Sequence, residues 1–330
     1  MGQFVTVLIT VISLFVLAIP GFILAKTKLL NKTAESVLSA IVLYGAQPML
    51  VFMSFQKQYD SSIVINMLVV AVCALVVHLL MIALMFLVIK NKGNDAKKNC
   101  VRFASIFSNC GYMGLPFLKM LFGDSNSEVL IYAAVIIAVF NLVSWSLGQY
   151  IITGDRKQMS IKKALLNPTT IGIFVGAILF FTIQTPIVDL AQGTAVQGFV
   201  EKLMASLDTI GNLVTPLSMM LIGVKLAGVN VKSLFTDKWA YVSCFFKLIV
   251  MGVLTMLVMA FLSVPAIVKY AVLFTLSMPS ATSTVLFSVQ FGGDSQTASV
   301  CVLLSTILSA VTIPIMFIIF NQLFGIPLVI

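Results

Sequence analysis

The chain has 330 residues, 60% of them hydrophobic and 9% charged, with a mean hydropathy of +1.11. A soluble domain carries about 25% charged residues, so the composition excludes a water-soluble fold and leaves an integral membrane protein. The formal charge of +9 does not point to nucleic acid, because the basic residues fall in short loops between apolar runs and not on one amphipathic face.

A membrane span needs about 20 apolar residues. The first run, 4–24, has no basic residue before it and no small-residue cleavage site after it, which predicts a retained span and not a signal peptide. Further runs at 36–55, 63–89, 103–121 and 129–153 complete a first set of five. A second set lies at 165–184, 203–224, 239–263, 270–291 and 296–320. The expected fold is therefore all-α, with ten transmembrane helices and both termini on one side. The first repeat would occupy 1–153 and the second 165–330, joined by a linker at 154–164 within a loop reaching Asn167.

Orientation follows from lysine and arginine. Loops after spans 1, 3, 5 and 7 carry Lys26, Lys28, Lys32, Lys90, Lys92, Lys97, Lys98, Arg102, Arg156, Lys157, Lys162, Lys163, Lys225, Lys232 and Lys238. The opposite loops carry only Lys57, Lys119, Lys202 and Lys269. By the positive-inside rule this places the 154–167 segment in the cytoplasm and both termini outside the cytoplasmic membrane.

Five spans per repeat is an odd number, so the second repeat must enter the membrane upside down. The two sets share marks in the same order. Pro48 and Pro216 lie in the second span of each. The fourth spans end in Phe122-Gly123-Asp124-Ser125 and Gly292-Gly293-Asp294-Ser295. Aligning those ends sets Asn109 opposite Pro279, so the breaks in spans 4 and 9 fall at one depth. Together these marks predict an inverted repeat.

Those breaks are Asn109-Cys110-Gly111-Tyr112-Met113-Gly114-Leu115-Pro116 and Ser277-Met278-Pro279-Ser280-Ala281-Thr282-Ser283-Thr284. Glycine and proline within so few residues interrupt a helix. Open backbone is tolerated in hydrocarbon only where protein buries it or a wet cavity meets it, and paired broken spans point to a transporter's binding site. Half-helix N-termini attract anions, while Asn109, Ser277, Ser280, Thr282 and Ser283 add amide and hydroxyl groups. Tyr112 offers a flat wall with a polar tip. Packing kinks are the competing explanation for such residues.

Ionisable groups inside spans are costly and suggest function. Asp208, with Asn212 one turn on, could relay a proton or cation or simply end its span. Lys247 could snorkel to the surface or serve as a buried counter-charge. His78, the single histidine, fits a satisfied buried side chain better than a proton switch. Asn141 should face protein or a cavity. Gly172 and Gly176 form a small-xxx-small pattern suited to a dimer seam or to internal packing. The five cysteines have no metal-site spacing. There is no phosphate-binding loop, HExxH or triad, so neither an enzyme nor a cofactor is expected.

These residues resemble the auxin efflux carrier family of permeases, in the bacterial branch of malonate and malate carriers. The marks are the span 4 motif from Asn109 to Pro116, Asn167-Pro168 with Gly172 and Gly176, Pro216-Leu217 with Ile222-Gly223-Val224-Lys225-Leu226, and Met278-Pro279-Ser280-Ala281. The resemblance implies a scaffold domain from spans 1, 2, 6 and 7 and a transport domain from spans 3–5 and 8–10. It also implies an elevator mechanism, a homodimer formed through the scaffold, and a small organic anion at the crossing of spans 4 and 9. The family's crossover asparagine falls on Asn109, its prolines on Pro116 and Pro279, and its span 5 amide on Asn141. The long cytoplasmic loop of the plant members is absent. Their acidic–basic pair near the end of span 2 has no match, though Lys57 and Asp60 are near.

The function expected is secondary transport of a mono- or dicarboxylate, with Asn109, Cys110, Gly111, Tyr112, Gly114, Pro116, Asn141, Ser277, Pro279, Ser280, Thr282 and Ser283 forming the site. Asp208, Asn212 and Lys247 are the coupling candidates. The crossovers hold no carboxylate, which favours protons, or no coupling ion, over sodium. A sodium-coupled bile-acid-type symporter and a membrane receptor that kept the fold are the alternatives.

Overall fold

The computed structural model describes residues 2–30, 33–91, 93–123, 128–228 and 231–326, the last without the side chains of 231–233. Lys32, Lys92, the side chain of Lys232, and Asp124-Ser125 at the end of span 4 lie outside the described residues.

All regular structure among the described residues is helical, apart from one isolated antiparallel bridge between Ser108 and Ser280. Among the described residues, seven helices are long and apolar enough to cross a membrane. In chain order they begin with α1 (Gly2–Lys26), α2 (Ala34–Ser54) and α3 (Ser61–Val88). Two shorter pieces follow, α4 (Ala96–Ile106) and α5 (Cys110–Phe122), and then α6 (Glu128–Thr153). Next come α7 (Pro168–Ile183), α8 (Gln197–Gly228) and α9 (Lys238–Ala260). The chain closes with two more short pieces, α10 (Ala266–Leu276) and α11 (Ser283–Gln290), and with α12 (Ser295–Phe324). Helix α7 becomes an eighth candidate span when joined to the segment Arg156–Leu165, from which it is bent by 45°. The runs expected to be spans 4 and 9 are thus each two half-length helices with a break between them.

The helix starts follow local chemistry. Asp60, Asp95, Asn167, Asp237 and Asp294 each accept a bond from a backbone N–H of the first turn of the helix that follows, which satisfies donors that have no intrahelical partner. Pro168 at the first position of α7 loses nothing there, since its missing N–H would be unpaired anyway.

Packing sorts the helices into two groups. Helix α1 runs along the second half of α8, α8 packs on α2, and α7 runs along the second half of α2, which links α1, α8, α2 and α7 in a row. Both seams rest on glycine. A Cβ on Gly223 would lie 1.9 Å from the carbonyl oxygen of Ala18, and one on Gly21 would lie 2.0 Å from that of Met220. On the other seam, a Cβ on Gly172 would lie 2.6 Å from the Pro48 carbonyl oxygen, and one on Gly176 would lie 2.8 Å from the Phe55 ring. The small-residue pattern of α7 is therefore spent on α2, within the chain. Helices α3–α6 and α9–α12 make the second group, wrapped around the two breaks. Its interior holds a run of aromatic contacts from Phe117 and Phe122 through Tyr270 and Phe274 to Phe317 and Phe320. All five cysteines are buried and reduced.

Candidate substrate site

The two breaks meet as a short antiparallel crossing. The Asn109 N–H donates to the Pro279 carbonyl at 2.8 Å, and the Ala281 N–H donates to the Phe107 carbonyl at 2.8 Å. The Ser108 hydroxyl donates to the Leu276 carbonyl at 2.6 Å, and the Ser280 hydroxyl to the Ala104 carbonyl at 2.8 Å. The pattern is reciprocal: each break uses its serine to bond a carbonyl in the last turn of the other's first half-helix. Backbone opened by glycine and proline is re-satisfied here, as a low-dielectric interior demands.

Above the crossing lies a cavity of about 420 Å³. Its floor is Ser108, Asn109, Cys110, Gly111 and Tyr112 from the first break, with Ala281, Thr282 and Ser283 from the second. Its walls come from Tyr44 and Gln47 of α2, Asn141, Ser144 and Trp145 of α6, and Asn167 and Thr169 at the start of α7. It extends to Glu35, Lys225 and the exposed Val289, at the end of the bundle that carries the basic loops.

Three of the four π-helical turns among the described residues line this cavity: Ile41–Ala46 with Tyr44, Cys110–Gly114 with Cys110, Gly111 and Tyr112, and Ser144–Gly148 with Ser144 and Trp145. A π turn inserts one extra residue into a helix and is frequent at functional sites. The fourth, Phe245–Val250, carries Lys247 directly under the crossing.

Several polar groups of the site are unspent. The Asn109 side chain is buried at 3% exposure, and its amide nitrogen has no hydrogen-bond partner among the described residues. The same holds for the Gln47 side-chain oxygen and the Ser283 hydroxyl. Gln47 rests on the crossing itself, since a Cβ on Gly111 would fall 2.4 Å from its amide nitrogen. The N–H groups of Cys110, Gly111 and Tyr112 precede the first intrahelical bonds of α5, which run from Met113 and Gly114 to the Asn109 carbonyl. The positive end of a helix and a buried amide without a partner make surroundings that favour a negatively charged oxygen.

Of the twelve residues expected to form a site, the structure brings seven to the cavity: Asn109, Cys110, Gly111, Tyr112, Asn141, Thr282 and Ser283. Asn141 also donates to the Thr170 hydroxyl at 2.9 Å, joining α6 to α7. The other five support the crossing from outside the cavity. Ser280 and Pro279 are spent on the bonds above, Gly114 packs against Met278, Pro116 is buried early in α5, and Ser277 faces Gly252 of α9. None of the coupling candidates lines the cavity. The Asn212 amide donates to Asp208 at 2.9 Å, and Lys119 of α5 donates to the Asn212 side-chain oxygen. Lys247 does not snorkel: its side chain is 0% exposed, and its amine donates to the Leu276 carbonyl at 3.0 Å, the Ile106 carbonyl at 3.5 Å and the Ser108 hydroxyl. His78 is buried, with its Nδ1 2.6 Å from the Ala74 carbonyl and its ring against Phe107.

Sequence reasoning passed over Gln47, Ser108, Trp145 and the Glu35–Lys225 ion pair at 3.2 Å. Gln47 carried the same signal as Asn141, an amide in an apolar span. Lys225 stands out in sequence as a loop charge and as part of the Ile222–Leu226 motif, with nothing there to mark Glu35 as its partner.

A family model described as "Membrane transport protein" matches residues 6–317 of the chain. An uncharacterized transporter of Methanocaldococcus jannaschii is 25% identical over 311 residues, covering 92% of this chain and 95% of the relative. An uncharacterized transporter of Methanothermobacter thermautotrophicus is 24% identical over 309 residues, covering 93% of this chain and 96% of the relative.

Proposed function

The chain belongs to the Membrane transport protein family, that of the auxin efflux carriers, and from that premise we propose that it is a secondary carrier of a small organic anion, a mono- or dicarboxylate such as malonate or malate. One observation carries the substrate class: Asn109, whose buried amide nitrogen has no partner among the described residues, lies with the N-terminus of α5 on the lining of a cavity large enough for such an anion. A carboxylate placed there is drawn by the positive end of α5 and bonded by the Asn109 amide once that side chain turns to the cavity. Asn141, Gln47, Thr282 and Ser283 orient the rest of the molecule.

The carrier works by alternating access in the cytoplasmic membrane, as two inverted five-helix repeats. The reciprocal bonds of Ser108 and Ser280, and the matched seams of α1 with α8 and α7 with α2, support the repeat. The α1, α2, α7, α8 group acts as the scaffold, and the group holding the crossing moves as an elevator past it. The scaffold is also the dimerising part. With the basic loops in the cytoplasm, both termini lie outside and the cavity opens inward. Contacts that join the groups, Asn141 to Thr170 and Lys119 to Asn212, must break or re-form when the carrier moves.

The test is flux of labelled malonate, malate and monocarboxylates in proteoliposomes holding the wild-type chain or Asn109→Ala. Wild-type flux lost in the variant is expected. Undiminished flux in Asn109→Ala removes the proposed site, and no flux of any acid through the wild type removes the substrate class.

A further inference from the structure

Lys247 stands where the ends of two half-helices meet. Helix α4 ends at Ile106 and α10 at Leu276, and the two ends meet beneath the crossing. Carbonyls at a helix C-terminus lack intrahelical donors and carry the negative end of the helix dipole. In transporters built on broken helices, such half-helix ends and unwound carbonyls are what coordinate a monovalent cation. Here the carbonyl oxygens of Ile106 and Leu276 and the hydroxyl of Ser108 converge on one point, and the Lys247 amine occupies it.

The chemistry fits an ammonium group. Its three N–H donors meet three oxygen acceptors, and Ser108 has already spent its own proton on the Leu276 carbonyl. Among the described residues the ion pairs are Lys97–Asp237 and Lys225–Glu35, so no carboxylate is matched to Lys247. The partners of its charge are the two helix ends. Lys247 sits on the π turn Phe245–Val250, where one extra residue shifts the register of α9.

We propose that Lys247 is a tethered cation that fills a monovalent-cation site at the crossing, so that the crossover is held together without sodium or any other bound metal ion. This rests on the transporter reading only in treating the crossing as the moving centre, and it is tested by stability and not by flux. Failure of the Asn109 experiment and failure of this one are therefore distinguishable.

The experiment compares thermal unfolding of the purified full-length chain in chlorides of sodium, lithium, potassium and N-methylglucamine at equal ionic strength. It adds the variants Lys247→Gly and Lys247→Met, with and without ethylammonium chloride. Wild type is expected to unfold at the same temperature in all four salts. Lys247→Gly should unfold roughly 5–10 °C lower and recover saturably with ethylammonium or sodium, which can enter the vacated space. Lys247→Met fills that space with an apolar chain, so it should be lowered and gain nothing from either ion. Stabilisation of the wild type by sodium overturns the proposal. So does a Lys247→Gly protein as stable as wild type, or a lowered one that no cation rescues. If Lys247→Gly does not accumulate, Lys247→Met and the wild-type salt series decide: a Met variant as stable as wild type refutes the role.

Discussion

The hydroxyl of Ser108 donates to the Leu276 carbonyl at 2.6 Å, and the hydroxyl of Ser280 returns the bond to Ala104 at 2.8 Å. Each serine is a fully or nearly fully buried side chain serving the other half of the chain. Replacing Ser280 with alanine leaves the buried Ala104 carbonyl short of a donor, and replacing Ser108 takes an acceptor from the Lys247 amine while the Leu276 carbonyl keeps that amine as donor, each at a cost of about 1–3 kcal/mol. Ser108→Ala should cost more than Ser280→Ala, because Ser108 also accepts from Lys247. Thermal unfolding of the two variants measures this, and equal, negligible shifts would mean the crossing is held by its backbone bonds alone.

Asn109→Asp separates charge from shape. The aspartate keeps the size of the amide but replaces its unpaired donor with an acceptor. An anion carrier should lose flux as fully as with alanine, by about 100-fold or more if one charge-assisted hydrogen bond of ~1.5–3 kcal/mol becomes a repulsion. Retained flux in Asn109→Asp would indicate a neutral or cationic solute.

Lys225 and Glu35 are the charged residues on the cavity lining, paired at 3.2 Å near its mouth. The Glu35 side chain is 45% exposed, and such a pair adds only about 0–1 kcal/mol to stability. Its effect should appear in transport. Lys225→Gln is expected to raise the half-saturating anion concentration several-fold, and Glu35→Gln to lower it by freeing the lysine. Thermal shifts of both should stay small, and opposite signs in the flux assay are the deciding result.

The breaks at Asn109–Pro116 and Ser277–Thr284 were legible because glycine, proline and clustered hydroxyls open the backbone, and open backbone is tolerated in hydrocarbon only where protein buries it or a wet cavity meets it. Six of the seven expected site residues that line the cavity come from those breaks, and Asn141 was legible as an amide in an apolar span. Which of them would be consumed by the crossing was not legible. Ser280 and Ser283 look alike in sequence, yet one is spent on Ala104 while the other is unpaired. Aligning the span ends set Asn109 opposite Pro279. These two are bonding partners in the structure, whereas the reciprocal bonds make Ala281 the counterpart of Asn109. Lys247 was visible as an intramembrane charge, but it sits on a π turn that no hydrophobic period announces. The composition likewise could not divide the use of Gly172 and Gly176 between a partner subunit and α2.

That division yields the last prediction. Gly172 approaches the Pro48 backbone and Gly176 the Phe55 ring, both within the same chain. Substituting leucine at Gly172 forces α7 away from α2, and overpacking of this kind costs about 1–3 kcal/mol, occasionally more. Because both walls of the seam belong to one chain, the loss should be independent of protein concentration. The unfolding temperature of Gly172→Leu should fall equally in dilute and concentrated detergent solution, and the oligomeric state by light scattering should match wild type. A variant that keeps its unfolding temperature but dissociates would assign the glycines to a subunit contact and leave the α2–α7 seam without its stated role.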